Sequence, residues 1–174
     1  MKPPLVVHLG SLKEGENSFE LEFLPRDLGL TDCEVAENPS FEKIVGPVDI
    51  RATILRNGQR YMVRGEISYR ARLDCALCGG EFESDFREPL SAEFLSCGAS
   101  NVDQDEADGD ELERIRLQVD SIDLTPMVRD AIHLAVPIAP VCRPECRGVC
   151  PSCGADLNLG PCSCAEPVPR RRNV

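Results

Sequence analysis

The stretch QRYMVRGEISYRARLDC, residues 59–75, alternates apolar and polar residues almost without interruption. A period of two predicts a half-buried antiparallel β-strand, because successive side chains of a strand point to opposite faces of the sheet. One face would carry Tyr61, Val63, Ile67, Tyr69, Ala71 and Leu73. The other face would carry Arg60, Arg64, Glu66, Ser68, Arg70 and Arg72.

Both flanks of this strand continue the pattern. Residues 48–54 also alternate, and they are followed by Asn57 and Gly58, a pair that readily forms a tight hairpin turn. The segment CALCGG, residues 75–80, interrupts the alternation, which then resumes through residues 81–96. The sequence therefore predicts a three-stranded meander over residues 48–96, with Cys75 and Cys78 in its second turn.

One main helix is predicted in DLTPMVRDAIHLAVP, residues 123–137. Thr125 is expected to cap it, Pro126 suits its first turn, and Pro137 ends it. Its apolar stripe would be Leu124, Val128, Ala131, Ile132 and Ala135. Short strands are expected in VVHL, SFELEF and RIRLQV, and a turn or short helix in PRDLGL. The predicted fold class is α+β, an antiparallel sheet with one main helix and a cysteine-rich C-terminal lobe.

The length of 174 residues suits one compact domain with a small appendage. We expect an α+β domain over residues 1–141, a zinc-binding lobe over 142–164 packed on the sheet hairpin, and a flexible basic tail over 165–174. Residues 97–111 have low hydrophobicity and dense negative charge, which predicts a disordered acidic loop within the first domain.

Charge and hydropathy limit the class of partner and the compartment. The formal net charge of −11 disfavours general nucleic-acid binding, because phosphates repel it, and favours a basic protein partner. No stretch reaches the roughly 20 apolar residues of a membrane span, and MKPPLVVHLG lacks the features of a secretory signal. We therefore expect a cytoplasmic protein, in a reducing compartment where clustered cysteines more often bind metal than form disulfides.

A Cys-x2-Cys-Gly unit occurs twice, as CALCG at residues 75–79 and CPSCG at 150–154. Such a unit forms a tight turn that offers two thiolates to one metal ion, and zinc prefers four tetrahedral ligands. Each unit therefore needs two more ligands. Residues 142–164 contain six of the ten cysteines, which is enough to complete both sets.

The spacing of the cysteines predicts how the ligands are shared. Cys162 and Cys164 are the nearest donors to the second unit, and Cys142 and Cys146 would then complete the first, clamping the C-terminal segment onto the hairpin. The predicted ligands of two structural zinc ions are Cys75, Cys78, Cys142, Cys146, Cys150, Cys153, Cys162 and Cys164. Disulfides and an iron–sulfur cluster are alternatives, since spacing alone does not distinguish zinc from iron. The two remaining thiols would be a buried apolar residue, Cys33, and a loop thiol, Cys97.

The arginine row, defined as Arg60, Arg64, Arg70 and Arg72, has two interpretations. It could contact RNA phosphates, which the planar guanidinium group suits. It could equally be an ordinary solvated sheet face. Both tyrosines lie on the opposite face, so no aromatic platform for stacking bases is expected beside the row.

No set of residues indicates catalysis. The two histidines, His8 and His133, have no nucleophile and carboxylate partners in a recognisable motif, and no glycine-rich phosphate loop is present. We therefore expect no enzymatic activity and no small-molecule substrate.

Three motifs together resemble the YceD family: the Cys75/Cys78 pair, IDLTPMVRDAIHLAVPIAPVC at 122–142, and CRGVCPSCGADLN followed by CSC at 146–164. The resemblance spans about residues 45–164. It implies a role in accumulation of large-subunit ribosomal RNA and adds no catalytic residue. Some members lack several C-terminal cysteines, so the resemblance implies a stabilising role for the second zinc.

The expected function is that of a noncatalytic ribosome-assembly factor that supports accumulation or maturation of large-subunit ribosomal RNA by binding an assembly intermediate. Its partner would be the ribosomal RNA precursor. The alternative is an acidic chaperone for a basic ribosomal protein of the large subunit.

Overall fold

The computed structural model describes residues 5–30, 41–96, 114–117 and 120–164. It confirms the α+β class, with antiparallel sheets and one main helix. The strands are β1 (Val6–His8), β2 (Gly15–Phe23), β3 (Phe41–Asn57), β4 (Arg60–Asp74), β5 (Glu81–Ser96), β6 (Arg114–Leu117) and β7 (Ser121–Asp123), and the helix is α1 (Thr125–Ala135). Two short 3-10 helices cover Leu9–Ser11 and Pro25–Leu28.

The main sheet has five strands in the order β2-β3-β4-β5-β6. The predicted meander is confirmed as β3, β4 and β5, and β2 adds a fourth antiparallel strand on the outer edge of β3. The short strand β6 pairs in parallel with the end of β5, at residues 93–96. β1 and β7 form a separate two-stranded antiparallel sheet.

The predicted faces of β4 are confirmed, since every apolar residue assigned to the core face is at most 4% exposed. Gly65 falls on that face and breaks the alternation. A Cβ atom at Gly65 would overlap the carbonyl oxygen of Arg51 on β3, so a side chain here would push the two strands apart. Glycine is present because the two backbones approach closely at this point.

Helix α1 covers the core face of the sheet, where Leu124, Val128 and Ile132 are buried with the apolar residues of β4 and β5. The buried hydroxyl of Tyr69 donates a hydrogen bond to the carbonyl of Ile132 at 3.4 Å. A tyrosine buried in the core needs such a partner, and this bond joins the helix to the central strand.

The predicted capping role of Thr125 is wrong. The helix begins at Thr125, Leu124 is the N-cap, and the carboxylate of Asp123 accepts the Thr125 N–H at 2.9 Å. The Thr125 hydroxyl oxygen instead accepts the N–H of Leu5 at 2.9 Å, because the N-terminal segment lies beside the start of the helix. Pro126 does lie in the first turn, and the helix ends two residues before Pro137.

Some predictions concern residues outside the described ranges. These are the acidic loop at 97–111, the basic tail at 165–174, and the single cysteines Cys33 and Cys97. Within the described residues, the structure contains no helix long and apolar enough to cross a membrane.

Candidate metal centre

The two Cys-x2-Cys-Gly units fold into the same turn. In each unit the glycine N–H donates to the carbonyl of the first cysteine at 2.8 Å, from Gly79 to Cys75 and from Gly154 to Cys150. Both glycines have positive φ angles, 68° and 73°. This left-handed conformation strains residues with a Cβ, so glycine permits the turn that directs both thiols of the unit to one side.

The first cluster consists of Cys75, Cys78, Cys142 and Cys146, whose sulfur atoms all lie within 4.8 Å of one another. The Sγ atoms of Cys75 and Cys146 are 3.8 Å apart, and those of Cys78 and Cys142 are 4.0 Å apart. Tetrahedral Zn–S bonds of about 2.3 Å place sulfurs about 3.8 Å apart, whereas a disulfide bond is about 2.05 Å. The donor set therefore fits one tetrahedral zinc ion, and these four cysteines are free thiols.

Backbone hydrogen bonds hold the C-terminal segment against the turn between β4 and β5. The Ala76 N–H donates to the Pro140 carbonyl at 2.8 Å, and the Val149 N–H donates to the Leu77 carbonyl at 3.1 Å. These bonds place Cys142 and Cys146 opposite the turn, although they are 64 and 71 residues from their partners Cys78 and Cys75.

The second cluster consists of Cys150, Cys153, Cys162 and Cys164, with sulfur atoms again within 4.8 Å of one another. All four lie in one short stretch of chain. Cys150 is buried and Cys153 is exposed, so this cluster is closer to solvent than the first, in which both Cys75 and Cys146 are buried. The donor chemistry is the same, and this cluster could also hold a zinc ion.

One thiol in each cluster is strongly acidified. Burial raises the pKa of Cys75, but N–H donors from Cys142, Cys78 and Leu77 outweigh it and lower that pKa to about 6. The pKa of Cys150 is lowered to about 6, first by the backbone N–H groups of Ser152 and Cys153. Each cluster therefore presents a thiolate that can make the first bond to a metal ion.

Other thiols of the same clusters are shifted in the opposite direction. Burial and hydrogen bonding to the neighbouring sulfurs raise the pKa of Cys142 to about 12. The pKa of Cys164 is raised to about 12, first by its hydrogen bond to Cys153 and then by burial. Four thiolates this close repel one another, so complete deprotonation needs a cation between them, and metal binding releases protons.

Asn158 connects the two clusters. Its side-chain N–H donates to the Cys146 Sγ at 3.6 Å, and its side-chain oxygen accepts the Arg147 N–H at 2.9 Å. The residue belongs to the loop of the second cluster and contacts a sulfur of the first. Asn158 is absent from the ligands predicted from the sequence, although it ends the motif CRGVCPSCGADLN. Its polar side chain beside cysteines was the available signal.

The arginine row lies on the solvent face of the main sheet, and three members face acids of β5. Arg70 donates two hydrogen bonds to Asp85, from Nε to Oδ1 at 2.7 Å and from Nη2 to Oδ2 at 3.4 Å. Arg72 contacts Glu83 at 3.0 Å, and Arg60 lies 3.9 Å from Glu93. Exposed Arg64 has no ion pair among the described residues.

These ion pairs change the electrostatics of the row. The hydrogen bond from Arg70, with its positive charge, lowers the pKa of Asp85, so the carboxylate stays ionised beside the guanidinium group. Residues of β2 add further acids on the other side of the row, where Glu20 lies 3.7 Å from Arg51 of β3. The row is therefore a ladder of alternating charges within an acidic surface rather than a continuous basic stripe.

Comparison with known proteins identifies the family. A family model described as large ribosomal RNA subunit accumulation protein YceD matches residues 63–173. The chain belongs to the YceD family. The match includes β4 from residue 63, β5, the helix and all eight clustered cysteines of this YceD-family protein.

Individual relatives agree with this assignment. An uncharacterized protein of Mycobacterium tuberculosis is 30% identical over 114 residues, which are 66% of this chain and 52% of the relative. The chloroplastic YCED homolog 1 proteins, named for large ribosomal RNA subunit accumulation, are 39% identical over 49 residues in Arabidopsis thaliana and over 71 residues in Zea mays. These cover 28% and 40% of this chain, and 15% and 24% of the relatives. The chain spans about half the length of the mycobacterial relative, and no solved structure matches it.

Proposed function

We propose that this YceD-family protein is a noncatalytic assembly factor that supports accumulation of large-subunit ribosomal RNA in the cytoplasm. The observation that carries the proposal is the family match over residues 63–173. The thiol clusters support the noncatalytic role, because four protein ligands leave no open position on a metal for water or substrate.

Both clusters bind zinc in this proposal, and the two ions are structural. The Sγ separations of 3.8 and 4.0 Å in the first cluster support a tetrahedral thiolate site. Metal analysis of protein purified anaerobically tests this assignment, with about two zinc ions per chain expected. Iron with the visible absorption of an iron–sulfur cluster would contradict it.

The protein acts by binding an assembly intermediate, and the ribosomal RNA precursor is its first candidate partner. Arg64 is the best RNA contact in the arginine row, because its charge is not shared with a neighbouring acid among the described residues. The other three members of the row, Arg60, Arg70 and Arg72, are weaker candidates for RNA contact. Each already pairs with an acid of β5, so it would have to share its charge with a phosphate or give up the acid.

A charge-swap series tests the RNA contact. Arg64→Glu should reduce crosslinking to RNA, because it places a negative charge where a phosphate would lie. The double variant Arg70→Asp with Asp85→Arg keeps the ion pair and the net charge of the protein. It moves the positive charge from β4 to β5, so it tests whether the position of that charge matters for RNA contact. Unchanged crosslinking in Arg64→Glu would contradict the contact.

The second candidate partner is a basic ribosomal protein, which the protein would shield until it docks. The acids of β2 and β5 that flank the arginine row favour this candidate, as does the net charge of −11. Deleting residues 101–111 should weaken capture of purified basic ribosomal proteins, and equal capture would argue against it.

Crosslinking in cells followed by sequencing of the attached RNA distinguishes the two partners. Enrichment of one region of precursor large-subunit RNA would favour the first candidate. Background RNA, together with capture of a basic ribosomal protein, would favour the second. Normal large-subunit RNA in cells lacking the protein would contradict the assembly role itself.

A further inference from the structure

A groove lies between β5 and α1, and none of the clustered cysteines lines it. It is formed by residues 88–92 of the strand and residues 126–135 of the helix, and its volume is about 620 Å³. Its apolar lining includes Leu90, Met127, Ala131 and Leu134. Neither the zinc sites nor the arginine row uses this groove.

One wall of the groove is the edge of β5, which is open as far as the described residues show. β6 pairs with β5 only at residues 93–96, and no other strand among the described residues pairs with Glu81–Ala92 on the side away from β4. Pro89 lies in this part of the strand, and proline inside a strand is typical of an edge position. Apart from Pro89, which has no N–H, the residues of this edge that no described strand pairs offer backbone N–H and C=O groups to an incoming strand.

The helix wall of the groove exposes apolar surface. Leu134 lines the groove and is 85% exposed, and Ile138, just beyond the end of the helix, is 93% exposed. Leu134 therefore leaves a large aliphatic side chain in water within the groove, and a partner that packs on it would cover this apolar surface.

The charge of the groove indicates the chemistry of that partner. The charged residues that line it are Glu88 and Asp130, both acidic, and the lining contains no lysine or arginine. An apolar channel with acidic walls is complementary to a segment that presents apolar side chains and lysine or arginine on the same face.

We propose that the groove binds an extended basic segment of a partner protein, which adds a strand to the open edge of β5. On the face of the segment that is turned to the groove, apolar side chains would pack on Met127, Ala131 and Leu134, and basic side chains would face Glu88 and Asp130. A groove between a strand edge and a helix suits this mode, since backbone hydrogen bonds give affinity and alternate side chains give specificity. The proposal rests on the second candidate function, and it names where a basic ribosomal protein would be held.

The test uses the zinc-loaded 174-residue protein and a fluorescent synthetic peptide matched in length to Glu81–Ala92. Every second residue of the peptide, on the face turned to the groove, is valine or lysine in turn, and serine stands between them. Leu134→Arg should weaken binding of this peptide by about tenfold or more, because it places bulk and positive charge in the groove. His133→Arg is the matched control, because it adds the same group at an adjacent exposed position outside the lining. A peptide with glutamate in place of lysine should bind much more weakly.

Backbone NMR shifts locate the binding site independently of the variants. Peptide-induced shifts confined to residues 88–92 and 126–135 would support the proposal. Absence of peptide binding, equal loss in both variants, or shifts elsewhere would overturn it. Shifts of the groove residues with RNA alone, or a dimer that Leu134→Arg converts to monomer, would also overturn it, by naming another occupant.

A result against peptide binding in the groove can be distinguished from a result against the assembly role. The peptide measurements test the groove alone, without any ribosomal component. Large-subunit RNA levels in cells lacking the protein test the assembly role, whatever the groove binds.

Discussion

The two cysteine clusters have the same ligands and the same turn but different structural consequences. The first joins the turn between β4 and β5 to a segment more than 60 residues away in the chain. The second closes a loop within residues 150–164. The same four-thiol arrangement therefore joins either distant segments of the chain or the ends of a local loop, depending on which residues its cysteines connect.

The difference has a physical basis in burial and in chain entropy. The first cluster closes a long loop, which removes more freedom from the unfolded chain than closing a short one. It also contains two buried cysteines, so its loss would leave polar sulfur atoms without partners beneath the C-terminal segment. The hydrogen bonds of Ala76 and Val149 across this contact would lose their alignment together with the metal.

The largest effect is expected for Cys146→Ser in the first cluster. This variant should bind about one zinc ion fewer, release residues 137–164 from the sheet, and lose on the order of 3 kcal/mol or more of stability, because metal binding is part of folding. Metal analysis, limited proteolysis and thermal unfolding measure the three quantities. Wild-type metal content with wild-type protease resistance would contradict the assignment of the first cluster.

A smaller effect is expected for Cys150→Ser in the second cluster. It should also lose about one zinc ion, but new protease sites should stay within residues 147–164, and the unfolding of the sheet should change little. The same three measurements apply, with Cys146→Ser as the comparison. A loss of stability as large as that of Cys146→Ser would show that the two clusters fold as one unit.

A still smaller effect is expected when the glycine of each turn is changed to alanine. Gly79→Ala and Gly154→Ala should each cost about 1–2 kcal/mol in the stability of the turn, because both positions have positive φ. Thermal unfolding should detect Gly79→Ala, whereas zinc exchange from the second cluster should detect Gly154→Ala. Gly10→Ala is the control, since Gly10 has the same room for a Cβ as Gly79 and Gly154 but does not have a positive φ. Equal changes in the unfolding temperature of all three variants would contradict the claim that the positive φ of the two turn glycines is what alanine strains.

The smallest effect is expected for Asn158→Ala, which removes the link between the clusters. Loss of its bonds to Cys146 and Arg147 should cost about 1 kcal/mol and accelerate zinc exchange at the first cluster. Leu159→Ala is the matched control, because this neighbouring side chain is 89% exposed. Faster exchange only at the second cluster would show that Asn158 does not connect the two.

The sequence predicted most of the central sheet correctly. The alternation in residues 59–75 identified the buried and exposed faces of β4, and Asn57 with Gly58 marked the turn before it. Both signals are local, because a strand's period and a hairpin turn depend on neighbouring residues. The prediction for Thr125 failed because its hydroxyl group bonds to Leu5, a contact that no local pattern reveals.

The sequence by itself determined the thiol donor sets and the strand pattern of this protein, since residue type, turn glycines and alternation are properties of short segments. Only the tertiary structure decided that Cys142 and Cys146 face the turn between β4 and β5, and that Arg60, Arg70 and Arg72 face acids of β5. It also decided that an open edge of β5 lies beside an apolar face of α1. Such contacts depend on the register of strands and on the docking of distant segments, which result from the packing of the whole chain.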